Sequence, residues 1–477
     1  MSNGIAHSLP TPIGDDKNLH VMIVGAGLAG LLLAILLDKA GISYQVYERA
    51  EEVKPLGGVM SLNAGIFPAL EQLGLYEELL KVSLPVMNGF NIYNGNLSLI
   101  ACVKAEIAEV LVLNPNIFFL QLRYKGTVLI EAHFTPCRQT IFSIGYGRIV
   151  FSRANFYDLI LSKVPREKIH LNKKVVSLKD DNDGITIRCT DGTTYQGDIL
   201  VGADGAYSGV RQALYKRMDM TGTLPSSDTD ELSKGFICMV STTDPLNPSK
   251  YPGVADKSAH CNQIIGNGNN YSLATVEDAT EHKFKNSEWG GDSSDPMIKE
   301  VRDFPIPLGG LLGDLIDATP RDNISRVSLE DKLFDTWHHG RTVLIGDACH
   351  KLLPSAGLGA VTSMQDAVVL ANNLYEMKDL SSDSINEALD TFKEERYSRV
   401  KEQFMASRTS AKLIYGQSVK LKESVKGVEC RPQVSFLPQV PNRGTGLVLP
   451  QRSSQRYLEE QKKLNSSAVA NSVAAVV

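Results

Sequence analysis

Three groups of residues have the types and spacing to do chemistry. The first is the run Gly25-Ala26-Gly27-Leu28-Ala29-Gly30, which directly follows the apolar Val21-Met22-Ile23-Val24. Glu48 lies about 20 residues further on, the spacing of a strand–loop–helix–strand unit that ends in an acid. Gly25 suits a tight turn, Gly27 lets backbone N–H groups approach a pyrophosphate, and Gly30 lets a helix close on a strand. The N-terminus of that helix attracts the anion. Glu48 can accept both hydroxyls of an unphosphorylated ribose. The pattern points to a dinucleotide, with a glycine loop that serves packing alone as the alternative.

The second group is Ile199-Leu200-Val201-Gly202-Ala203-Asp204-Gly205 with Ser208 and Arg211 just beyond. A buried strand that stops at Asp-Gly before a hydroxyl and an arginine is either a polar junction near a ligand or a turn capped by Asp204. The third is Gly346-Asp347 at the end of the apolar Thr342–Ile345, followed by a Pro/Gly loop and a helix from about Ala360 to Met377. Asp347 can hydrogen-bond a polyol hydroxyl, and the helix start at Gly359-Ala360 can stabilise a partly anionic group. Gln365 and Asp366 fall near the first turn of that helix, where an acid is favourable anyway, and are read as carrying little information. Gly57-Gly58 suggest backbone passing close to a ligand, or an ordinary turn.

These groups need elements to hold them. Val21 to Leu37 is a continuous apolar run, short of the about 20 residues that span a bilayer and broken by glycines, with no basic region before it. It reads as a core strand and helix, so neither a membrane span nor a signal peptide is expected. A helix is expected from Asn63 to about Leu80, and a strand at 147–153 leading into an amphipathic helix. A β-meander over 169–205 turns at Asn182-Asp183-Gly184 and Asp191-Gly192. Strands are expected at 235–243 and 271–276 among long polar loops, with a second amphipathic helix over 384–413. Val103 to Phe142 has weak periodicity. It is either an insertion in a substrate domain or a stretch foreign to the protein, such as a retained intron.

The composition narrows the class. The chain has 477 residues, 43% hydrophobic and 22% charged, enough for a large core in two or three domains or one composite unit. A net charge of −5 gives no reason to expect a nucleic-acid partner. Seven cysteines at irregular spacing, without a CxxC, argue against a disulfide framework and a structural zinc site. A reducing, cytoplasmic location is the simplest fit, and no metal is expected.

The glycine loop, the Asp204-Gly205…Arg211 segment and Gly346-Asp347, in this order, resemble the GxGxxG, DG and GD motifs of the group A flavoprotein monooxygenases, the aromatic-hydroxylase family. LGLYEEL, VFSRANFYDLIL and GDACHKLLPSAGLGA are similar to fungal FAD-dependent epoxidases and hydroxylases of secondary metabolism. The resemblance covers roughly residues 20–80, 145–215 and 330–400. It implies an α/β fold: a Rossmann-like FAD-binding domain with a β-meander, a substrate domain on a mainly antiparallel sheet, and a C-terminal helical segment. The implied organisation is a flexible leader (1–18), a discontinuous FAD-binding domain (19–84, 146–215 and 331–380), a substrate domain (85–145 and 216–330), a helical region (381–424) and an irregular tail (425–477).

By that resemblance Gly25, Gly27, Gly30 and Glu48 hold the adenosine half of FAD, and Gly58 and Leu62 line the loop near the cofactor. Arg153 contacts the phosphates or ribityl chain, Asp204 couples FAD to nicotinamide binding, and Asp347 holds a flavin-side hydroxyl. Gly359 and Ala360 offer backbone near the isoalloxazine ring. Two departures stand out. The family's GQGAN loop reads Gly357-Leu358-Gly359-Ala360-Val361, which keeps the backbone amides and changes the side chains. A family Tyr two residues before a Cys is Phe236 before Cys238, so that phenol is absent and no catalytic residue is assigned.

The implied reaction uses NADPH or NADH and O2 to hydroxylate or epoxidise an electron-rich aromatic or isoprenoid alkene through a C4a-hydroperoxyflavin. His350 is a candidate proton donor near the flavin or a core histidine. A halogenase would need a WxWxIP segment, whereas Trp289 and Trp337 are isolated. An FAD-linked reductase and a non-catalytic flavin-binding protein remain as alternatives.

Overall fold

The computed structural model describes residues 19–52, 59–85, 90–93, 99–103, 118–124, 127–134, 149–181, 184–240, 247, 249–251, 276–278, 298–299, 302–303, 305–306, 309–321 and 324–414. The expected leader, Gly57-Gly58, the strand over 271–275 and the tail from 425 lie outside them.

Six strands form the central sheet, in the order Ile169–His170, Ser43–Tyr47, His20–Val24, Ile199–Gly202, Thr342–Leu344 and His338–His339. The first five are parallel and the last is antiparallel. Parallel strands buried on both faces must be apolar throughout, as Val21–Val24 and Ile199–Val201 are. The helix Leu28–Lys39 is buried from Leu28 to Leu37 and packs against the helix Gly359–Tyr375. An all-round apolar helix needs such cover, so Val21–Leu37 is a core strand and helix. Among the described residues no helix is long and apolar enough to cross a membrane.

His20–Val24 lies between Ser43–Tyr47 and Ile199–Gly202, so the chain leaves the two neighbouring strands in opposite directions around it. Such a switch point opens a crevice at the carboxyl ends of the strands. All three sequence groups sit on that edge. Gly25 follows Val24, Glu48 follows Tyr47, Ala203-Asp204 follow Gly202, and Gly346-Asp347 follow Leu344-Ile345.

The meander is present as an antiparallel sheet of Val175–Asp181, Gly184–Cys189 and Thr194–Gly197. A second small sheet pairs Val59–Leu62 and Ser83–Pro85 with Ile149–Ser152. A four-stranded antiparallel sheet joins Val276–Asp278, Ser233–Val240, Ser325–Leu333 and His350–Lys351. Its last pairing, Leu333 with His350, ties it to the segment just after Gly346-Asp347. The long C-terminal helix runs Ser382–Ile414.

Two expectations change. The single helix expected over 63–80 is two short ones, Phe67–Gln72 and Tyr76–Lys81. Gly74 at φ +73° ends the first, because a left-handed residue stops helical hydrogen bonding. The stretch 103–142, weakly periodic in sequence, contains the hairpin Phe118–Tyr124 and Thr127–Phe134, whose strands pair with each other. The run LVLNPNIFFLQL ends inside the first of these strands, where the three successive apolar residues Phe118-Phe119-Leu120 obscure the alternation of Leu120–Tyr124.

Candidate cofactor site

The glycine loop is held from three sides. Gly25 has φ +108°, and a Cβ there would lie 2.8 Å from Asp204 Cα, so the first and second groups touch through a position only glycine fits. A Cβ at Gly30 would overlap the carbonyl oxygen of Gly25, and this glycine lets the helix close on the strand end. Gly27 differs. Its φ is −77° and a Cβ would meet only Ala203 O, at 3.9 Å. The chain itself does not require glycine at that position, as expected where a ligand needs the backbone bare.

Glu48 and Tyr157 brace the loop. Ala26 N donates to Glu48 Oε2 at 2.8 Å and Ala50 N to Oε1 at 2.9 Å. A carboxylate has about four acceptor positions, so these two bonds leave room for two ribose hydroxyls. Tyr157 Oη donates to Ala26 O at 2.7 Å from a buried position. Burial, with Glu48 adding to it, pushes the phenol up to about 12 and keeps it a donor. Sequence reading missed Tyr157. The available signal was its place four residues after Arg153, on the same face of the helix Arg153–Leu161. Arg153 opens that helix and is exposed. Leu62 packs in the main core at 1% exposure, so anything it offers a cofactor comes from its backbone. Gly58 lies outside the described residues.

Asp204 is a helix cap. Its carboxylate accepts from Ser208 Oγ at 2.5 Å, Gly209 N at 2.7 Å and Val210 N at 3.2 Å, at the start of the helix Gly209–Met220. Burial raises its pKa against the pull of those donors. Arg211 then joins the second and third groups. Its Nη1 donates to Ala348 O at 2.7 Å and its Nη2 to Ala206 O, while its guanidinium lies 4.2 Å from the Phe334 ring centroid.

On the flavin side, Gly346 has φ +61°, and a Cβ there would lie 2.9 Å from Ser363 Oγ. Asp347 is partly exposed beside it and accepts from Lys351 Nζ at 3.0 Å. Gly357 has φ +63° in a loop close to Ser61. Gly359 has open space where a Cβ would point, and Ala360 is half-buried. The helix they begin thus presents free backbone N–H groups at its N-terminus.

One expectation needs correction. The helix begins at Gly359, so Asp366 sits two turns in, where the dipole offers an acid little. It is wholly buried and accepts from three donors: Arg396 Nε at 2.7 Å, His350 Nε2 at 2.5 Å and Gly346 N at 2.9 Å. Burial alone would raise its pKa, but His350 and Arg396 outweigh that and hold it below the usual range. An acceptor-only carboxylate facing Nε2 fixes the proton of His350 on that nitrogen. His350 is a core residue against Trp337, with ring centroids 5.2 Å apart. Cys349, His350 and Asp366 cluster closely enough for a metal, yet the acid is engaged by hydrogen-bond donors on both oxygens.

The residues fit an extended dinucleotide cofactor: a bare amide at Gly27, open acceptor positions on Glu48, and a second polar turn with a helix N-terminus on the same sheet edge. The family described as "FAD binding domain" matches residues 18–233 and 312–407, well over half of the chain. The chain belongs to this family. The resemblance to the group A flavoprotein monooxygenases is borne out, and with it the expected class of oxidoreductase, an FAD-dependent monooxygenase. Among its curated relatives, the FAD-dependent monooxygenase nvfK of Aspergillus novofumigatus is 26% identical over 423 residues, covering 84% of this chain and 81% of that protein. The FAD-dependent monooxygenase paxM of Penicillium paxilli is 27% identical over 416 residues, covering 83% and 78%. Solved structures share the fold. Klebsiella pneumoniae HpxO, complexed with FAD and uric acid, gives a TM-score of 0.60 at 19% identity, covering 86% of this chain and 93% of that one. A salicylate hydroxylase substrate complex gives 0.57 at 19% identity, covering 86% and 92%.

Proposed function

We propose that this FAD-dependent monooxygenase uses NADPH or NADH and O2 to insert one oxygen atom into an electron-rich aromatic ring or isoprenoid alkene. The observation that carries the reading is the gathering of Gly27, Glu48, Asp204 and Asp347 along the carboxyl edge of one parallel sheet. FAD, when bound, supplies the hydride acceptance and oxygen activation that no side chain can perform.

The chain's part is holding and enclosure. The amides at Gly25–Gly27 and the N-terminus of the helix Leu28–Lys39 bind the pyrophosphate, with Gly30 allowing the helix to come close. Glu48 accepts from the adenosine ribose, Arg153 pairs with the phosphates, and Asp347 accepts from the ribityl chain. Gly359 and Ala360, at the start of the helix, would offer backbone N–H groups to the flavin ring. Asp204, spent on its helix cap, supports the site through Arg211 rather than by direct contact. The antiparallel sheet around Ser233–Val240 and Ser325–Leu333 forms the wall of a substrate domain that keeps water from the reacting centre.

The test is an oxygen-electrode and mass-spectrometric screen of the flavin-loaded protein with NADPH and NADH against electron-rich aromatics, indoles and prenylated terpenoids. The reading expects substrate-stimulated NAD(P)H oxidation matched by O2 uptake, with one 18O atom from 18O2 in the product. NAD(P)H oxidation with substrate reduced and no oxygen incorporated would mean a reductase. Bound flavin that neither nucleotide reduces would mean a non-catalytic binder.

A further inference from the structure

The three flavin-side segments come from distant parts of the chain, and one side chain outside every motif joins them. Arg396 lies in the long helix Ser382–Ile414 and is 3% exposed. Its Nε donates to Asp366 Oδ1 at 2.7 Å, its Nη2 to Thr362 O at 3.1 Å and its Nη1 to Gln365 Oε1 at 3.4 Å. Each partner leads to the site. The other oxygen of Asp366 accepts from Gly346 N at 2.9 Å, the amide directly before Asp347. Gln365 Nε2 donates to Gly65 O at 2.9 Å, in the turn after the strand Val59–Leu62. Thr362 lies in the first turn of the helix that Gly359 and Ala360 open. Neighbouring contacts close the cluster. Thr362 Oγ1 donates to Gln403 Oε1 at 2.5 Å, and a Cβ at Gly65 would meet Gln365 Nε2 at 2.8 Å.

We propose that Arg396 is a positioning residue for the flavin half of the cofactor: through Asp366 and Gln365 it sets the Gly346-Asp347 turn, the turn at Gly65 and the helix start at Gly359 as one unit. The guanidinium suits this role because its planar fork presents five donors in fixed directions, whereas an ammonium is a single point of charge. Among the described residues no hydrogen bond links this cluster to the glycine loop, which Glu48 and Tyr157 brace separately; the two meet only by packing, at Ala29 beside Gly346. The adenosine and flavin halves of the site therefore have separate hydrogen-bonded supports. This inference rests on the FAD reading above.

That separation of hydrogen bonds sets the test. The flavin-stripped full chain is titrated with FAD and, separately, with ADP, which needs only the adenosine half, and folding is followed by circular dichroism. Arg396→Lys is expected to weaken FAD at least tenfold and to change ADP affinity less than twofold. The flavin absorbance bands of the protein reloaded at saturating FAD should shift as well. Gln365→Ala keeps the buried ion pair and removes one arm. It is expected to weaken FAD about threefold with ADP unchanged, and it decides the matter if Arg396→Lys does not fold. FAD affinity equal to wild type in Gln365→Ala, or a parallel loss of FAD and ADP in either folded variant, would overturn the proposal. A wild-type chain that binds ADP but takes up no FAD would overturn the functional reading and this one together. Normal FAD uptake by wild type and variants alike would overturn this one alone.

Discussion

Gly27 and Gly30 stand three residues apart, at the cap and in the first turn of the helix Leu28–Lys39, yet the structure assigns them different reasons for being glycine. Alanine at each position separates those reasons. At Gly30 the added Cβ overlaps the backbone oxygen of Gly25 and lies 3.2 Å from its carbonyl carbon, an obstacle that cannot swing away as a side chain can. Overpacking of this kind costs about 1–3 kcal/mol, and a backbone clash belongs at the upper end. Replacing a helical glycine with alanine returns about 1 kcal/mol. Gly30→Ala is therefore expected to destabilise the stripped chain by roughly 1–2 kcal/mol. At Gly27 the φ of −77° suits any residue and the nearest foreign atom is 3.9 Å away. Alanine is a poorer helix cap than glycine by about 0.5 kcal/mol, but it restricts the unfolded chain by a similar amount, so stability should hardly change. FAD affinity of Gly27→Ala should nevertheless fall at least tenfold, about 1.4 kcal/mol, because the methyl group stands where the pyrophosphate must approach the backbone. Urea unfolding of the stripped proteins and fluorescence titration with FAD read the two quantities. Wild-type FAD affinity in Gly27→Ala, or destabilisation equal to that of Gly30→Ala, would refute the reasoning.

Three further outcomes are expected. Tyr157→Phe removes the donor to Ala26 O and leaves that buried carbonyl unpaired, a loss of about 1–2 kcal/mol in urea unfolding; unchanged stability would mean that the hydroxyl braces nothing. Arg211→Lys cannot reach Ala348 O and Ala206 O together, and about 2 kcal/mol of stability should go with the link between the second and third groups. The third concerns pH. Burial lowers the pKa of His20, His170 and His338 below 6.5, against the pull of Asp198 on His20 and of Asp390 on His338, and with Lys173 assisting at His170. The unfolded chain then binds more protons at these sites than the folded one. Their contribution is complete above about pH 6.5 and is lost as pH falls toward the folded values. The urea midpoint should drop between pH 7.5 and 5.5, and an equal or higher midpoint at pH 5.5 would contradict this assignment.

The parts legible in the sequence were those with a local signature. A glycine loop between an apolar strand and an apolar helix, a strand that stops at Asp-Gly, and a strand that stops at Gly-Asp each carry their meaning within about ten residues. The Asn63–Leu80 region failed as one helix because Gly74 reads equally well as a tolerated interior glycine and as a stop. The 118–134 hairpin is not legible because the successive apolar residues Phe118-Phe119-Leu120 break the two-residue period where its first strand begins. Asp366 was misread because a first-turn acid and a buried acid look alike until the helix start is placed.

Sequence alone determined which residues could carry an extended dinucleotide and the order in which the chain supplies them. Local spacing suffices for that, since turns and helix starts are made by residues next to one another. Tertiary structure alone decided how the three groups become one site. Gly25 presses on Asp204, Arg211 reaches Ala348, Tyr157 holds Ala26, and Arg396 gathers Asp366, Gln365 and Thr362. Each of these contacts joins residues from separate elements, and a buried charge or hydroxyl leaves no periodic trace of its partner. Only the folded chain reveals which of the many polar residues in the sequence had to be buried together.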